Sequence, residues 1–392
     1  APAMPLDIDT PTLQAHLRDL AREAREMRFD VAPNPCVGAG ILAGGKLIGR
    51  GMHGHWGGPH AELVALKAAA ASGVPRGSWE ALLVTLEPCS SFGKTPPCTE
   101  AIIAAGISRV VVGCLDPDPR HRGSGLEALK NAGIEVINLD GTITLRDQSP
   151  HFLRWLSPER LRIPRPWTIA KWAQTRSGQL LPPKDVGGGR WISGPEALAE
   201  VQVLRGRVEG IMTGFGTVRA DNPRFTVRPP GQRKNPPQRF ILDSDLRTPP
   251  DARLFAQLDA GGETDEAGGQ VVIFCRFGAD VGRARALAAA GAEVQEVRSM
   301  DRTRLDLQDI LLRMHERGIE RLLLEAGPQL TSAMLEAGVV DQVCIYTGDV
   351  LGGEGATLAD ALVTVRLVDR RDLEVGDTSR VDSFVTLPPG TR

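Results

Sequence analysis

The sequence predicts an α/β protein built of two units, and three observations carry that prediction. Short apolar runs of strand length alternate with segments of helical periodicity. The chain has 392 residues, 42% of them apolar, more than one small core organises. Finally, the stretch SPHFLRWLSPERLRIPRP, with four prolines, separates two such alternating series.

The elements follow in order. Leu13, Leu17, Leu20, Ala24 and Met27 recur at helical spacing, which predicts an amphipathic helix over 12–28. Runs 37–42 and 81–86 read as strands with a helix over 61–71 between them. A helix over 99–105, a strand over 109–113, a helix over 125–131 and a strand over 134–138 complete a unit with a largely parallel sheet. The expected boundaries are a first domain over 1–147, a connector over 148–166 and a second α/β domain over 167–392. Within that second domain 210–212 and 322–324 read as buried strands, and 330–335 opens a helix after the Gly327-Pro328 turn.

Composition narrows the class. A net charge of -2 with dispersed basic residues argues against a nucleic-acid surface, which needs a concentrated basic patch. No apolar run reaches 18 residues, and APAMPLDIDT has neither the basic nor the apolar part of a signal peptide. A cytoplasmic protein with no membrane partner is expected. Six cysteines without a short-spaced framework suit a reducing compartment, where they pack or ligate.

The chemistry resides in two stretches, GGPHAELVALKAAAASG and LEPCSSFGKTPPC. His60, Cys89 and Cys98 offer one imidazole and two thiolates, the ligand set of a zinc site with an open fourth position for water. Glu62, two residues beyond His60, is placed to move that water's proton. His60 and Cys98 fall at expected helix starts, and the partial positive charge there favours a thiolate at Cys98. His-x-Glu alone is common, and two cysteines nine positions apart alone fit packing or a structural half-site. Together they match the His-x-Glu and Pro-Cys signature of zinc-dependent base deaminases, with a longer spacing to the second cysteine.

In the second half, the strand, Gly327-Pro328 turn and following helix place free backbone N–H groups where they hold a dinucleotide phosphate. Thr213-Gly214, Thr217 and Asp221 offer hydroxyl and carboxylate partners. On the residues alone, Arg205 and Arg228 fit a salt-bridged surface as well as a site, and Lys94 fits a solvated loop.

Asn34-Pro35, PHAE, TLEPCS, GKTPPC and DPDP together resemble the deaminase half of the bifunctional riboflavin-biosynthesis deaminase/reductases. Residues 190–228 and LLLEAGPQLTSAML resemble the reductase half, so the likeness spans nearly the whole chain. The resemblance implies a cytidine-deaminase-like three-layer sandwich followed by a dihydrofolate-reductase-like domain. It implies a small-molecule substrate, a diaminohydroxyphosphoribosylaminopyrimidine, with Zn2+ and NADPH as cofactors. Asn34 and His53 would line the base and ribose pocket and Lys94 would meet the phosphate, while His55 and His121 read as surface. Arg205, Phe225, Arg228 and Glu325 would hold the reductase substrate, with Lys171 catalytic. Gln174, Trp191, Thr217, Asp221, Ser244 and the run Gly327, Pro328, Gln329, Leu330, Thr331, Ser332 and Ala333 would bind NADPH. A homo-oligomer is also expected.

The chain departs from the family pattern in places. Thr175-Arg176-Ser177-Gly178-Gln179 stands for the usual Ser-Leu-Asp-Gly-Arg, Asp118 for the Asn of Asp-Pro-Asn-Pro, and Ser149 lies where an Asn usually precedes Phe152. If the absent carboxylate positions a reacting group, the reductase half binds NADPH but reduces weakly; if it only caps a turn, serine does the same. The rivals are therefore a deaminase with a weak or inactive second half, and a zinc-stabilised non-catalytic nucleotide-binding module. Glu62 argues against the module, since a structural site has no use for an acid beside an open ligand position.

Overall fold

Leu13, Leu17 and Leu20 are buried along one stripe of the helix Thr10–Arg25, whose first turn is closed by Asp9 Oδ1 accepting from Thr12 N at 2.9 Å. The helix ends three residues before the expected 28, and a separate turn, Arg28–Val31, follows. The computed structural model describes residues 8–91, 96–184, 192–228, 235–256, 268–301 and 304–388. The chain divides into two units, Ala1–Arg162 and Ile163–Arg392.

In the first unit the strands are β1 (Gly38–Ala43), β2 (Lys46–Met52), β3 (Ala81–Val84), β4 (Arg109–Val112) and β5 (Glu135–Asn138), in the spatial order β2-β1-β3-β4-β5. Strand β1 runs antiparallel to both β2 and β3, whereas β3, β4 and β5 are parallel. The sheet is thus half parallel, where the sequence led us to expect it largely so. The difference comes from β2, which alternation did not reveal: the Gly44-Gly45 turn, with φ of +55° and +70°, reverses the chain in two residues.

Side chains alternate across the sheet with the two-residue period of a strand. Leu82 and Val84 meet the helices Ala61–Ala71 and Ser124–Asn131 on one face, and Leu83 meets the helix Thr10–Arg25 on the other, giving three layers. The helix Ala61–Ala71 lies flush on β2 because Gly51 has no side chain: a Cβ there would stand 2.2 Å from Ala61 O. Residues expected in the connector belong to this unit. Gln148 Nε2 donates to Ala21 O at 2.6 Å, Ser149 Oγ accepts from Cys36 N at 2.8 Å, and His151 Nε2 bonds Asn34 O at 2.9 Å.

The second unit is built on β6 (Trp167–Gln174), β7 (Gly210–Gly214), β8 (Gln238–Leu242), β9 (Val271–Arg276), β10 (Ala292–Val297), β11 (Arg321–Leu324), β12 (Gln342–Thr347), β13 (Arg366–Val375) and β14 (Thr378–Thr386). Among the described residues these form one sheet in the order β10-β9-β8-β7-β11-β6-β12-β14-β13. The pairs are parallel from β10 to β12 and antiparallel at β12-β14 and β14-β13. Phe240, Val272, Phe274, Leu322 and Leu324 are buried in its core with Ile310 and Met314 of the helix Leu307–Glu316. Leu242, Gly214 and Leu324 end adjacent parallel strands, so the loops that follow them open on one edge, where α/β sheets bind ligands.

Candidate active sites

In the first unit three chain segments converge. His60 is the N-cap of the helix Ala61–Ala71, Cys98 is the first residue of the helix Cys98–Ala104, and Cys89 follows β3 by way of Thr85–Pro88. His60 Nδ1 lies 3.2 Å from Cys98 Sγ and 3.6 Å from Cys89 Sγ, and Cys98 N donates to Cys89 Sγ at 3.2 Å. One donor atom from each residue lies within 4.8 Å of the others. One imidazole and two sulfurs at this separation fit a tetrahedral zinc with one position left over. Between the two sulfurs the proton belongs to Cys98: their hydrogen bond and burial push its pKa up, while the same bond draws Cys89 down to about 4.

Glu62 sits one residue into the same helix, only 3% exposed, and burial raises its pKa. A carboxyl so raised holds and releases a proton closer to neutral pH. His53 stands edge-on to His60, ring centroids 5.5 Å apart. Its Nδ1 donates to Pro59 O at 3.1 Å, which leaves Nε2 to accept from Asn34 Nδ2 at 3.1 Å. Burial lowers the His53 pKa to about 4, so the ring is neutral. Asn34, His53 and the metal-fitting triad therefore form one cluster. Lys94 lies outside the described residues.

Sequence reasoning missed Glu87. Its Oε1 accepts from Gly125 N at 2.9 Å, and its Oε2 accepts from Gly123 N at 2.9 Å and Asp116 N at 3.1 Å. Two residues before Cys89, it fixes the start of the cysteine loop to the segment after β4. Its partners are backbone N–H groups, which no side-chain pattern announces.

In the second unit the loops after β7, β8 and β11 surround a cavity of about 2520 Å³. Glu325, directly after β11, accepts from Arg205 Nε at 2.6 Å and Nη2 at 3.0 Å and pairs with Lys171 Nζ at 3.1 Å. Burial would raise the Glu325 pKa, but the charges of Arg205 and Lys171 win and hold it at about 2. The Arg205 guanidinium lies 5.6 Å from the centre of the Phe225 ring. Thr217 Oγ1 accepts from Gly327 N at 3.1 Å, and Pro328, Gln329 and Leu330 open the helix Pro328–Glu336 toward the cavity. Its unbonded N–H groups fit a dinucleotide phosphate.

Arg228, Asp221, Ser244 and Ala333 line the same cavity. Three expected cofactor residues are not among its lining. Gln174 is engaged by Trp172 Nε1 at 2.9 Å and Thr347 Oγ1 at 3.4 Å, Thr331 is buried with its hydroxyl on Ala326 O at 3.2 Å, and Ser332 lies on the same helix. Trp191 lies outside the described residues.

Residues 166–376 match the RibD C-terminal domain, and residues 11–114 match the cytidine and deoxycytidylate deaminase zinc-binding region. The chain is 35% identical over 337 residues to the riboflavin biosynthesis protein RibD of Aquifex aeolicus, covering 86% of this chain and 87% of that one. The chain belongs to the RibD family. The Escherichia coli RibD is 33% identical over 348 residues, 85% of this chain and 86% of that one. Among solved structures, Acinetobacter baumannii RibD (form 1) aligns with a TM-score of 0.62 at 28% identity, over 96% of this chain and 100% of that one. A Thermotoga maritima diaminohydroxyphosphoribosylaminopyrimidine deaminase/5-amino-6-(5-phosphoribosylamino)uracil reductase aligns at 0.60 and 27%, over 96% and 99%.

As a RibD, this chain is a bifunctional enzyme of riboflavin biosynthesis, a zinc-dependent deaminase and an NADPH-dependent reductase on a small-molecule substrate. Its halves carry the cytidine-deaminase-like and reductase folds expected of the family. The departure at Ser177 falls outside the cavity lining: Ser177 Oγ accepts from Gly352 N at 2.9 Å, within a turn closed by Gly178 N to Thr175 O at 2.9 Å.

Proposed function

We propose that His60, Cys89 and Cys98 hold the zinc and that Glu62 carries the deaminase proton. The observation that bears this reading is the convergence of the three donors beside a buried acid on the helix that starts at His60. When bound, zinc supplies the Lewis acidity that lowers the pKa of a water in the open position. Glu62 then takes the proton of the attacking water and delivers it to the departing amino group, while Asn34 and neutral His53 orient the pyrimidine and Lys94 meets its phosphate.

In the second half Arg205, Phe225, Arg228 and Glu325 hold the deaminated product, and Lys171, fixed by Glu325, presents its ammonium to the opened sugar. NADPH, when bound, supplies the hydride. Thr217, Asp221, Ser244 and the Gly327 turn bind it, and Trp191 contributes by family resemblance. The chain works as a cytoplasmic homo-oligomer on this reading. Six cysteines without a disulfide suit a reducing compartment, and among the described residues no helix is long and apolar enough to cross a membrane.

Two substitutions separate the roles in the first half. Cys89→Ala loses both zinc and ammonia release. Glu62→Gln keeps about one zinc per chain, by metal analysis and the ligand set, yet loses on the order of 10²–10⁴ in rate. A Glu62→Gln protein that sheds its zinc marks Glu62 as a ligand and overturns the assignment.

A further inference from the structure

The loop that carries Asn34 holds itself poorly. It runs over 32–37, between the turn Arg28–Val31 and β1, and its Pro33 and Pro35 bring no N–H while pressing Ala32 and Asn34 toward extended backbone. Asn34 N is taken by Val31 O at 3.0 Å. Two further backbone groups of the loop find their partners 113 and 117 residues along the chain: Cys36 N donates to Ser149 Oγ at 2.8 Å, and Asn34 O accepts from His151 Nε2 at 2.9 Å.

A carbonyl oxygen only accepts, so at this contact the His151 proton is on Nε2. Ser149 and His151 are both fully buried, and the segment that bears them is firmly docked. Arg25 Nη1 donates to Asp147 O at 2.7 Å and Gln148 O at 3.1 Å, Gln148 Nε2 donates to Ala21 O at 2.6 Å, and Leu145 shares a core with Leu17 and Leu20. The loop is thus tied to a rigid support at two points. Holding the backbone at Asn34 O and again at Cys36 N sets the direction in which the Asn34 side chain leaves the chain. Its Nδ2 meets His53 Nε2 at 3.1 Å, which leaves Oδ1 as the acceptor for an amino group of the pyrimidine.

We propose that His151 and Ser149 are positioning residues of the deaminase, which aim the Asn34 carboxamide at the substrate by holding the backbone of its loop. The proposal rests on Asn34 as a residue of the base pocket. Neither His151 nor Ser149 touches the substrate; both act through Asn34.

The test follows ammonia release from the diaminohydroxyphosphoribosylaminopyrimidine by the zinc-loaded full chain, with zinc content and unfolding temperature measured on the same samples. His151→Ala, and the milder Ser149→Ala, should raise KM about five- to tenfold, as loss of one hydrogen bond to substrate implies. Zinc content stays at the wild-type value, and kcat stays within about twofold, the mark of lost uniform binding. His151→Gln, whose amide N–H reaches as Nε2 does, recovers most of the loss. Gln148→Leu is the matched control: it loosens the same segment through its bond to Ala21 O without touching the Asn34 loop, and its KM should stay at the wild-type value. In an Asn34→Ala background, His151→Ala should add nothing further to KM, because residues that act as a unit are not additive. Wild-type KM in both His151→Ala and Ser149→Ala, a rise in Gln148→Leu equal to theirs, or additive effects of His151→Ala and Asn34→Ala each overturn the proposal. Wild-type KM in Asn34→Ala refutes the assignment of Asn34 to the pocket instead, and so is distinguishable.

Discussion

Replacing Glu87 by glutamine tests how the cysteine loop is held. The carboxylate serves three backbone N–H groups, one on Oε1 and two on Oε2. Glutamine keeps the shape but turns one acceptor into a donor. Its least damaging orientation puts the amide nitrogen at Oε1, facing Gly125 N–H; the reverse would confront both Gly123 and Asp116. One buried N–H is then unpaired, at about 1–3 kcal/mol, and the two remaining bonds lose their charge assistance, about 1 kcal/mol together once their partial exposure is allowed for. The sum is roughly 2–4 kcal/mol.

That loss divides between global stability and the placement of Cys89, because Glu87 lies two residues before that proposed ligand and its partners lie on the segment after β4. Outer-shell substitutions at metal centres typically weaken metal affinity about 10–100-fold, and a chelator competition titration reads this directly. We expect Glu87→Gln to weaken zinc by at least about tenfold and to lower the unfolding temperature of the first unit. Glu87→Ala is the harsher control, orphaning all three donors. Zinc affinity and unfolding temperature both at wild-type values in Glu87→Gln refute the reasoning, and a fallen unfolding temperature with unchanged zinc affinity reduces Glu87 to a stability role.

In the second unit, Glu325→Gln leaves Arg205 and Lys171 buried without a counter-charge and should destabilise by about 3–5 kcal/mol, read by denaturant unfolding. The same ion cluster gives a pH dependence. The folded Glu325 pKa is depressed from 4.5 to about 2, so its contribution is complete above about 4.5 and is lost as pH falls toward 2; in Glu325→Gln that part of the acid slope should vanish. Lys171→Met should cut NADPH oxidation about 100-fold or more while NADP+ binding stays constant, and unchanged turnover would remove Lys171 from the chemistry. Ser177→Asp should leave NADPH oxidation within about twofold of wild type, since the position caps a turn; a large gain would restore the idea of a weakened reductase.

Legibility differed from element to element for physical reasons. The helix over 61–71 was readable to the residue because an unbroken run of strong helix formers follows Pro59-His60 and ends before Gly73. Strand β2 was not, because LysLeuIleGlyArgGlyMet buries glycines and not alternating large side chains against its helix. Missing β2 also misassigned direction. With the hairpin in place, β2 and β3 are the parallel pair linked through the helix Ala61–Ala71, and β1, lying between them, is antiparallel to both. The zinc-fitting triad was legible because its side chains carry the chemistry themselves, whereas Asn34 and His53 carried no signal beyond resemblance until hydrogen bonds joined them to each other and to Pro59, with the His53 ring edge-on to His60.

The substitution at Ser177 can be set against the contacts that surround it. A carboxylate absent beside a catalytic lysine suggests a lost reacting group, yet Lys171 already has its carboxylate in Glu325, 3.1 Å away and on a different strand end. Ser177 instead holds Gly352 N, and the Gln179 amide, oriented to donate, bridges Ser177 O and Gly352 O at 3.1 Å each. Serine and glutamine there join the turn after β6 to the 350–353 loop through neutral hydrogen bonds, a task that needs an acceptor and a donor but no charge. At the end of β11 a single buried acid holds two cations, and on the proposed assignment of Lys171 that is where the electrostatics of reduction would be set, leaving the turn at Ser177 free to vary in charge so long as it still meets Gly352.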